Sequence, residues 1–239
     1  TDWPQGEVQV TFRAFPGESP IFSGGWTVDD WKLDAAGLVR ASVADYPGNL
    51  MQIRELFVSG KRATRARYPD DDFLRVQASG PDRRTGFTFY PDDIPQIEDS
   101  GSAELVFFHD WSTSRLGIKE IDTANRYITV ADPIGPVLPQ FAIDNFEKHP
   151  RYYLEHSKSF LTQPGEWYLD TIQKELIYMP LPGENLETIH AAVPLSSQLI
   201  RVLGTTARPF KRLHIQGLTM EHCLWALPAN GYAHGSWSR

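Results

Sequence analysis

The apolar and polar side chains of this chain alternate in several short runs, and the first of these spans residues 7–15. A period of two places successive side chains on opposite faces of an extended strand, so this run predicts a half-buried β-strand. A second short strand is predicted over residues 20–25, where it ends at a pair of glycines. Residues 213–220 alternate in the same way on both sides of Gly217, which predicts two further short strands.

The middle of the chain predicts a series of β-hairpins. Residues 55–58 and 61–67 flank Ser59 and Gly60, and a two-residue turn that contains glycine is typical of a hairpin. Further strands are predicted over residues 104–109, 118–121, 127–130, 166–170 and 175–179. Short strands at near-regular spacing are typical of a β-sandwich or a β-barrel.

Three segments between the hairpins have weaker patterns. Residues 141–148 and 150–157 are each predicted to form a turn or two of helix. Periodicity alone allows residues 195–202 to be a helix or a strand, and we favour a strand.

The composition supports an all-β chain and excludes some classes of function. The 239 residues include 18 glycines, 18 prolines and 13 phenylalanines, which favour turns and strands over a helical bundle. A net charge of −7 argues against a nucleic-acid partner. The single cysteine, Cys223, rules out an internal disulfide. No apolar run approaches the roughly 18 residues that a membrane-spanning helix needs.

Residues 208–239 have the pattern of one coil of a stacked β-solenoid. Such a coil buries its apolar face only when a neighbouring coil stacks on it. We therefore expect solenoid coils at both ends of the chain, over residues 1–50 and 191–239, and an inserted β-sandwich or barrel over residues 51–190.

Five blocks of sequence resemble, in the same order, the parallel β-helix glycoside hydrolases of family 141 and their uncharacterised relatives. The strongest block, RELFVSGKRATRARYP at residues 54–69, resembles the segment that opens the inserted β domain of that family. The other blocks are residues 12–18 with 23–25, 108–115, 165–170, and 217–222 with Trp225 and Pro228. The β-xylosidases of family 120 also combine a β-helix with an inserted β domain, and they match the block at residues 54–69 less well.

The resemblance implies an all-β fold with right-handed parallel β-helix coils at both ends and an inserted antiparallel β-sandwich or barrel domain. It implies a carbohydrate-active protein of bacterial origin, secreted or periplasmic, that acts on fucoside or xylan substrates without a cofactor or a metal. The family's catalytic carboxylates are expected downstream of Arg239, so the resemblance carries no catalytic residue onto this sequence. We expect the sequence to be the N-terminal portion of a longer enzyme, and its oligomeric state is left open.

Two clusters of polar and aromatic side chains are candidate contacts for an oligo- or polysaccharide. The first cluster is His109, Asp110 and Trp111. The second is Glu221, His222, Trp225 and Tyr232. A histidine beside a carboxylate can tune its protonation, and glycoside hydrolysis requires carboxyl groups on both sides of the scissile bond. A tryptophan can stack on the apolar C–H face of a sugar ring.

Each candidate also has a purely structural interpretation. Asp110 also fits the role of a turn cap, Glu221 that of a polar residue at a coil corner, and both histidines that of hydrogen-bonded structural groups. The acidic run at residues 70–72 fits either a calcium site or a solvated loop. The basic residues of the run at 61–67 fit either ion pairing with the acidic excess or binding of acidic sugars.

The sequence thus favours a glycoside hydrolase, with two alternatives left open. One is a non-catalytic glycan-binding or surface protein, and the other is a polysaccharide lyase.

Overall fold

The structure is a computed structural model that describes residues 9–97, 101–110, 112–135, 142–145, 147–187, 189–207 and 209–226. In chain order the first strands are β1 (Val10–Arg13), β2 (Ile21–Ser23), β3 (Gly25–Val28), β4 (Lys32–Leu33), β5 (Val39–Ser42), β6 (Phe57–Val58), β7 (Lys61–Arg62), β8 (Thr64–Arg65), β9 (Arg67–Tyr68) and β10 (Leu74–Ser79). They are followed by β11 (Gly86–Phe89), β12 (Glu104–Phe108), β13 (Thr113–Asp122), β14 (Tyr127–Val130), β15 (Arg151–Glu155), β16 (Glu166–Asp170), β17 (Glu175–Tyr178), β18 (Ala191–Pro194), β19 (Leu213–Gln216) and β20 (Thr219–Glu221). Short 3₁₀ helices lie at Leu50–Gln52 and Lys158–Phe160. The all-β prediction is confirmed.

Six antiparallel strands close into a barrel in the order β10-β11-β14-β13-β12-β15, and β15 pairs back onto β10. The long strand β13 serves two neighbours because its register shifts between Ile118 and Glu120. Such a bulge bends a strand, so the first half of β13 pairs with β12 and the second half with β14. Of the two predicted alternatives for the middle of the chain, a β-sandwich or a barrel, the structure shows a closed antiparallel barrel.

Alternating side chains of β12 and β15 face the barrel interior and its outer surface. Leu105 and Phe107 face inward with their cross-strand partners Leu154 and Tyr152, and all four are fully buried. Their neighbours Glu104, Val106, Tyr153 and Glu155 face outward, where the rest of the protein covers them.

A five-stranded sheet in the order β4-β5-β17-β16-β8 lies between the barrel and a second sheet. Tyr168 and Ile177 of this sheet pack in the same cluster as the barrel interior. The alternate residues Trp167 and Leu176 pack instead with Val193 and other residues of the four-stranded sheet β3-β18-β6-β7. Burial on both faces explains why β16 is apolar at consecutive positions rather than alternating.

The first hairpin forms at the predicted turn. Ser59 and Gly60 have φ values of 48° and 75°, and a two-residue turn with positive φ at both positions matches the right-handed twist of paired strands. The predicted hairpins around residues 122–126 and 171–174 also form. In both of them an aspartate, Asp122 or Asp170, accepts hydrogen bonds from backbone N–H groups of its own turn.

The prediction of parallel β-helix coils over residues 1–50 and 191–239 is wrong for the described part of the chain. Parallel pairing at the two ends is confined to two-stranded ladders, β1 with β19 and β2 with β20. Strands β3 and β5, from the first segment, and β18, from the last, pair antiparallel within the two sheets. Alternation with a period of two occurs in solenoid coils and antiparallel strands alike, so the pattern did not distinguish them.

Three local predictions are also wrong. Residues 151–155, predicted to lie in a helical turn, form β15. Residues 195–202, predicted to form a strand, contain no strand. Within the predicted helical segment 141–148, Phe141 and Phe146 lie outside the described residues, and residues 142–145 form a turn rather than a helix.

A buried network of charged side chains joins the barrel to the five-stranded sheet. Arg65, from β8, donates hydrogen bonds to Glu104 at 2.9 and 3.2 Å and to Glu155 at 3.0 Å. Arg54 also binds Glu104, and Arg115 binds Glu155. Ion pairing as the role of the basic run is confirmed for Arg65 and also for Arg62, which binds Glu55 at 2.8 Å.

We expect the substitution Arg65→Met to lower the free energy of unfolding by about 3–5 kcal/mol, because two buried glutamates lose their common partner. Arg62→Met is the matched control. The Arg62 side chain is 66% exposed, against 9% for Arg65, so its loss should cost at most about 1 kcal/mol. Urea unfolding of both variants measures the difference, and equal losses would show that the buried network does not carry this stability.

Candidate functional site

The first predicted cluster lies where β12 leaves the barrel. The His109 ring accepts or donates a hydrogen bond at 2.9 Å between its Nε2 and the Ser114 hydroxyl, and it lies 5.1 Å from the Phe107 ring. Burial lowers the pKa of His109 to about 4, and the charge of Asp110 opposes that shift only in part. His109 is therefore a neutral, half-buried group at pH 7, whereas Asp110 is exposed. Trp111 lies outside the described residues.

The second predicted cluster brings three polar side chains together, Ser23, Glu221 and His222. The Glu221 carboxylate lies 3.2 Å from Nε2 of His222, and Nδ1 of His222 lies 2.9 Å from the Ser23 hydroxyl. Which of the two atoms donates this hydrogen bond, the Ser23 hydroxyl or Nδ1 of His222, depends on the tautomer of the ring.

The backbone holds His222 tightly in this position. His222 has a φ of 59°, a left-handed conformation that is uncommon for a residue other than glycine. Its ring lies 4.6 Å from the Phe57 ring, and a Cβ atom at Gly25 would come within 3.0 Å of the His222 side chain. The corner formed by Ser23, Glu221 and His222 thus depends on a glycine in β3 and on an aromatic residue in β6.

Trp225 lies three residues beyond this corner, and 56% of it is exposed to solvent. Tyr232 lies outside the described residues. The structure therefore brings Glu221 and His222 into direct contact and leaves Trp225 at the surface. The barrel cluster of His109 and Asp110 contacts other elements, β12 and β13, and shares no hydrogen-bond partner with the corner among the interactions of the described residues.

The carboxylates that sequence analysis missed are Glu104 and Glu155, which lie directly opposite each other on β12 and β15. Burial would raise the pKa of Glu104, but the charges and hydrogen bonds of Arg65 and Arg54 outweigh it and lower that pKa to about 2. Glu104 is therefore ionised and fixed by arginine, which makes it unsuitable as a proton donor in catalysis. The arginine-rich block at residues 54–69 was the available signal for such a network.

His156 is buried beside the same network. Its Nδ1 lies 3.2 Å from the Ser102 carbonyl oxygen and its Nε2 lies 3.1 Å from that of Leu169. Burial lowers the pKa of His156 to about 4, and the positive charge of Arg65 adds to this effect. A neutral imidazole has one N–H, so only one of the two carbonyls can accept a hydrogen bond from it at pH 7.

Two aspartates of the acidic run at residues 70–72 accept hydrogen bonds from other residues of the protein. The Asp70 carboxylate accepts hydrogen bonds from the Thr162 hydroxyl at 3.0 Å and the Gln163 amide at 2.9 Å. Asp72 accepts one from the Phe73 backbone N–H at 2.8 Å. Across the described ranges, no group of three or more histidine, cysteine, aspartate or glutamate side chains is placed to hold a metal ion.

The fold is an all-β assembly in which a closed six-stranded barrel packs on a sheet that is itself covered by a second sheet. A family model described as the GH141 insertion domain matches residues 38–181, which is more than half of the chain, and the chain belongs to this family. The resemblance to family 141 is thus confirmed at the level of the insertion domain.

A solved structure titled "Glycoside hydrolase" has a similar fold, with a TM-score of 0.72 and 23% sequence identity. The similarity covers 91% of this chain but 39% of that one, so the present chain spans well under half of that protein's length. A comparison with curated proteins found no match. None of the helices in the described part of the chain has the length and hydropathy needed to cross a membrane.

We expect the free energy of unfolding to fall as the pH is lowered from about 6.5 to about 4. His109 and His156 have pKa values of about 4 in the folded protein, and an unfolded histidine has a pKa of about 6.5. Because the unfolded chain binds these protons first, acid favours unfolding, by at most about 3 kcal/mol for each histidine.

The substitution His156→Asn removes one of these groups while retaining a residue that tolerates positive φ. Its unfolding free energy should therefore depend less steeply on pH between about 6.5 and 4. His214→Asn, at an exposed position of β19, is the control and should leave the slope unchanged. Denaturant unfolding at a series of pH values measures both slopes, and identical slopes for all three proteins would contradict the assignment.

Proposed function

We propose that this chain is part of a carbohydrate-active protein that hydrolyses glycosidic bonds in a neutral glycan of the fucoside or xylan type. The observation that carries the proposal is the family match over residues 38–181, because the insertion domain of that family is named after a class of glycoside hydrolases. The fold shared with a solved protein titled "Glycoside hydrolase" supports the same proposal.

The described carboxylates have binding or structural roles in this proposal rather than catalytic ones. Hydrolysis requires one carboxyl group that can donate a proton and a second that acts as base or nucleophile. Glu104 and Glu155 are held by three arginines, and Asp110 and Glu221 lie in separate clusters. We therefore assign the catalytic pair to residues outside those described.

The corner at Glu221 and His222 has the properties of a substrate contact. Its carboxylate is partly exposed, with 30% of the side chain accessible, and it lies 3.2 Å from Nε2 of His222. A carboxylate accepts hydrogen bonds from sugar hydroxyl groups, and the exposed Trp225 provides an apolar ring close by in sequence.

A non-catalytic glycan-binding protein is the second candidate, and the neutralisation of both buried glutamates by arginine favours it. An assay of the protein at its natural full length on fucosides, xylans and other neutral glycans separates the two. We expect release of reducing sugar. Binding by a folded sample that hydrolyses none of these glycans would support the second candidate, and an unsaturated product that absorbs ultraviolet light would indicate a lyase.

We expect Glu221→Gln to raise KM about five- to tenfold with little change in kcat, because a group that binds substrate and transition state equally affects KM alone. The control is Glu187→Gln, at an exposed position that none of the site arguments involves. Steady-state kinetics on the glycan that is hydrolysed measures both parameters. A large loss of kcat with an unchanged KM would assign Glu221 a catalytic rather than a binding role.

A further inference from the structure

A groove on the barrel lies apart from both predicted clusters. It is formed by the start of β10, the loop after β11 and the segment before β15, and its cavity volume is about 640 Å³. This volume is within the range of about 300–1,000 Å³ that is typical of ligand sites. The lining residues are Phe73, Leu74, Arg75, Tyr90, Asp93, Glu147, Lys148 and His149.

The apolar part of the groove is held in place by other side chains. The Phe73 ring packs edge-on against Phe108, with centroids 5.0 Å apart. The guanidinium groups of Arg67 and Arg151 each lie 5.7 Å from the Phe73 centroid. An aromatic ring fixed by three neighbours loses little conformational entropy when a ligand binds to it. Tyr90 supplies a second aromatic ring in the lining.

His149 offers the groove a hydrogen-bond acceptor. Its Nδ1 lies 3.0 Å from the carbonyl oxygen of Val76, which only accepts, so the proton of the neutral imidazole is on Nδ1. The Tyr90 hydroxyl also lies 3.4 Å from this nitrogen. Nε2 of His149 is then the unprotonated nitrogen, and it can accept a hydrogen bond from a hydroxyl group of a ligand.

The charged residues of the groove are balanced. Arg75 is paired with Glu147 and also donates a hydrogen bond at 3.0 Å to the His149 carbonyl. The two cations of the lining, Arg75 and Lys148, thus face two acids, Glu147 and Asp93. A groove without a net charge does not favour an anionic ligand such as a uronate, and its four ionisable side chains do not suit a purely apolar one.

Asp93 is the least compensated acid of the groove. Burial raises its pKa, a backbone hydrogen bond from Tyr90 opposes this shift, and the neighbouring charge of Asp92 adds to it. Close to Asp93 lies Tyr152, whose buried hydroxyl has no hydrogen-bond partner among the described residues. Burial raises the pKa of Tyr152, and the charge of Asp93 raises it further, so the two groups are close enough to interact. A carboxylate can accept several hydrogen bonds, so a ligand with hydroxyl groups can add to the one that Asp93 accepts from the Tyr90 backbone.

We infer that this groove is a second carbohydrate-binding site, which takes a neutral oligosaccharide through apolar contact with Phe73 and Tyr90 and through hydrogen bonds to Asp93 and His149. The inference rests on the proposed function for the class of its ligand. The groove itself is defined by residues that contribute to neither predicted cluster.

Titration calorimetry of the 239-residue chain with xylohexaose, cellohexaose and mannohexaose, and with tetragalacturonate as the acidic probe, tests this site. We expect at least one neutral probe to bind and tetragalacturonate to bind no better. Asp93→Asn should weaken binding about tenfold, because a hydrogen bond to a charged group is lost. Asp92→Asn removes the same charge from the adjacent residue, which does not line the groove, and should stay within about twofold of the parent affinity.

Tyr90→Ala provides a second test, and thermal unfolding of each variant verifies that it folds. If Tyr90→Ala does not fold, the comparison of Asp93→Asn with Asp92→Asn still tests whether the groove binds the oligosaccharide. Equal affinities of the parent chain, Asp93→Asn and Asp92→Asn would overturn the site, as would the absence of binding to all three neutral probes. Tighter binding of tetragalacturonate would overturn the neutral ligand. Because hydrolysis is assayed separately, binding in the groove without hydrolysis contradicts only the proposed function.

Discussion

Two glutamates of this protein, Glu104 and Glu155, lie opposite each other on adjacent buried strands. This arrangement is stable only because Arg65 lies between the two carboxylates. Glu104 and Glu155 are cross-strand partners on β12 and β15, where like charges repel. A single guanidinium binds both carboxylates, and Arg54 and Arg115 each hold one of them from outside. The outer surface of the barrel can be buried at this point because every carboxylate there has a cationic partner.

The same arginine determines how the layers meet. The backbone around Arg65 pairs with β16 of the five-stranded sheet, and two residues later the chain pairs with β15 of the barrel. The segment from Thr64 to Tyr68 therefore belongs to both layers, and its side chain at position 65 fixes their relative position. The sheet can then present Tyr168 to the barrel and Trp167 to the second sheet.

Local sequence predicted the hairpins well, because each one depends on its own turn chemistry. Ser59 with Gly60 and the turn that begins at Asp122 specify their strands without reference to the rest of the chain. β15 has consecutive apolar residues, Tyr152, Tyr153 and Leu154, because it is buried on both faces, and such a run lacks the period of two that identifies a half-buried strand. The partners of Arg65 lie 39 and 90 residues away, so no local pattern identified them.

Sequence analysis predicted only part of the candidate site. The contact between Glu221 and His222 follows from their adjacency, whereas Ser23 reaches them only through the pairing of β2 with β20. The barrel groove was missed altogether, because its residues come from three separated segments and carry no shared motif. The limits of 51 and 190 for the inserted domain stay a prediction, next to a family match over 38–181.

The ladder between β1 and β19 has a consequence for the order in which the protein folds. It joins residues that are about 200 positions apart, so its formation closes a loop that contains nearly all of the chain. That closure costs far less entropy once the barrel and sheets have already shortened the path between its ends. We therefore expect the ladders β1–β19 and β2–β20 to form late in folding, at a rate that depends on how fast the barrel and the sheets form.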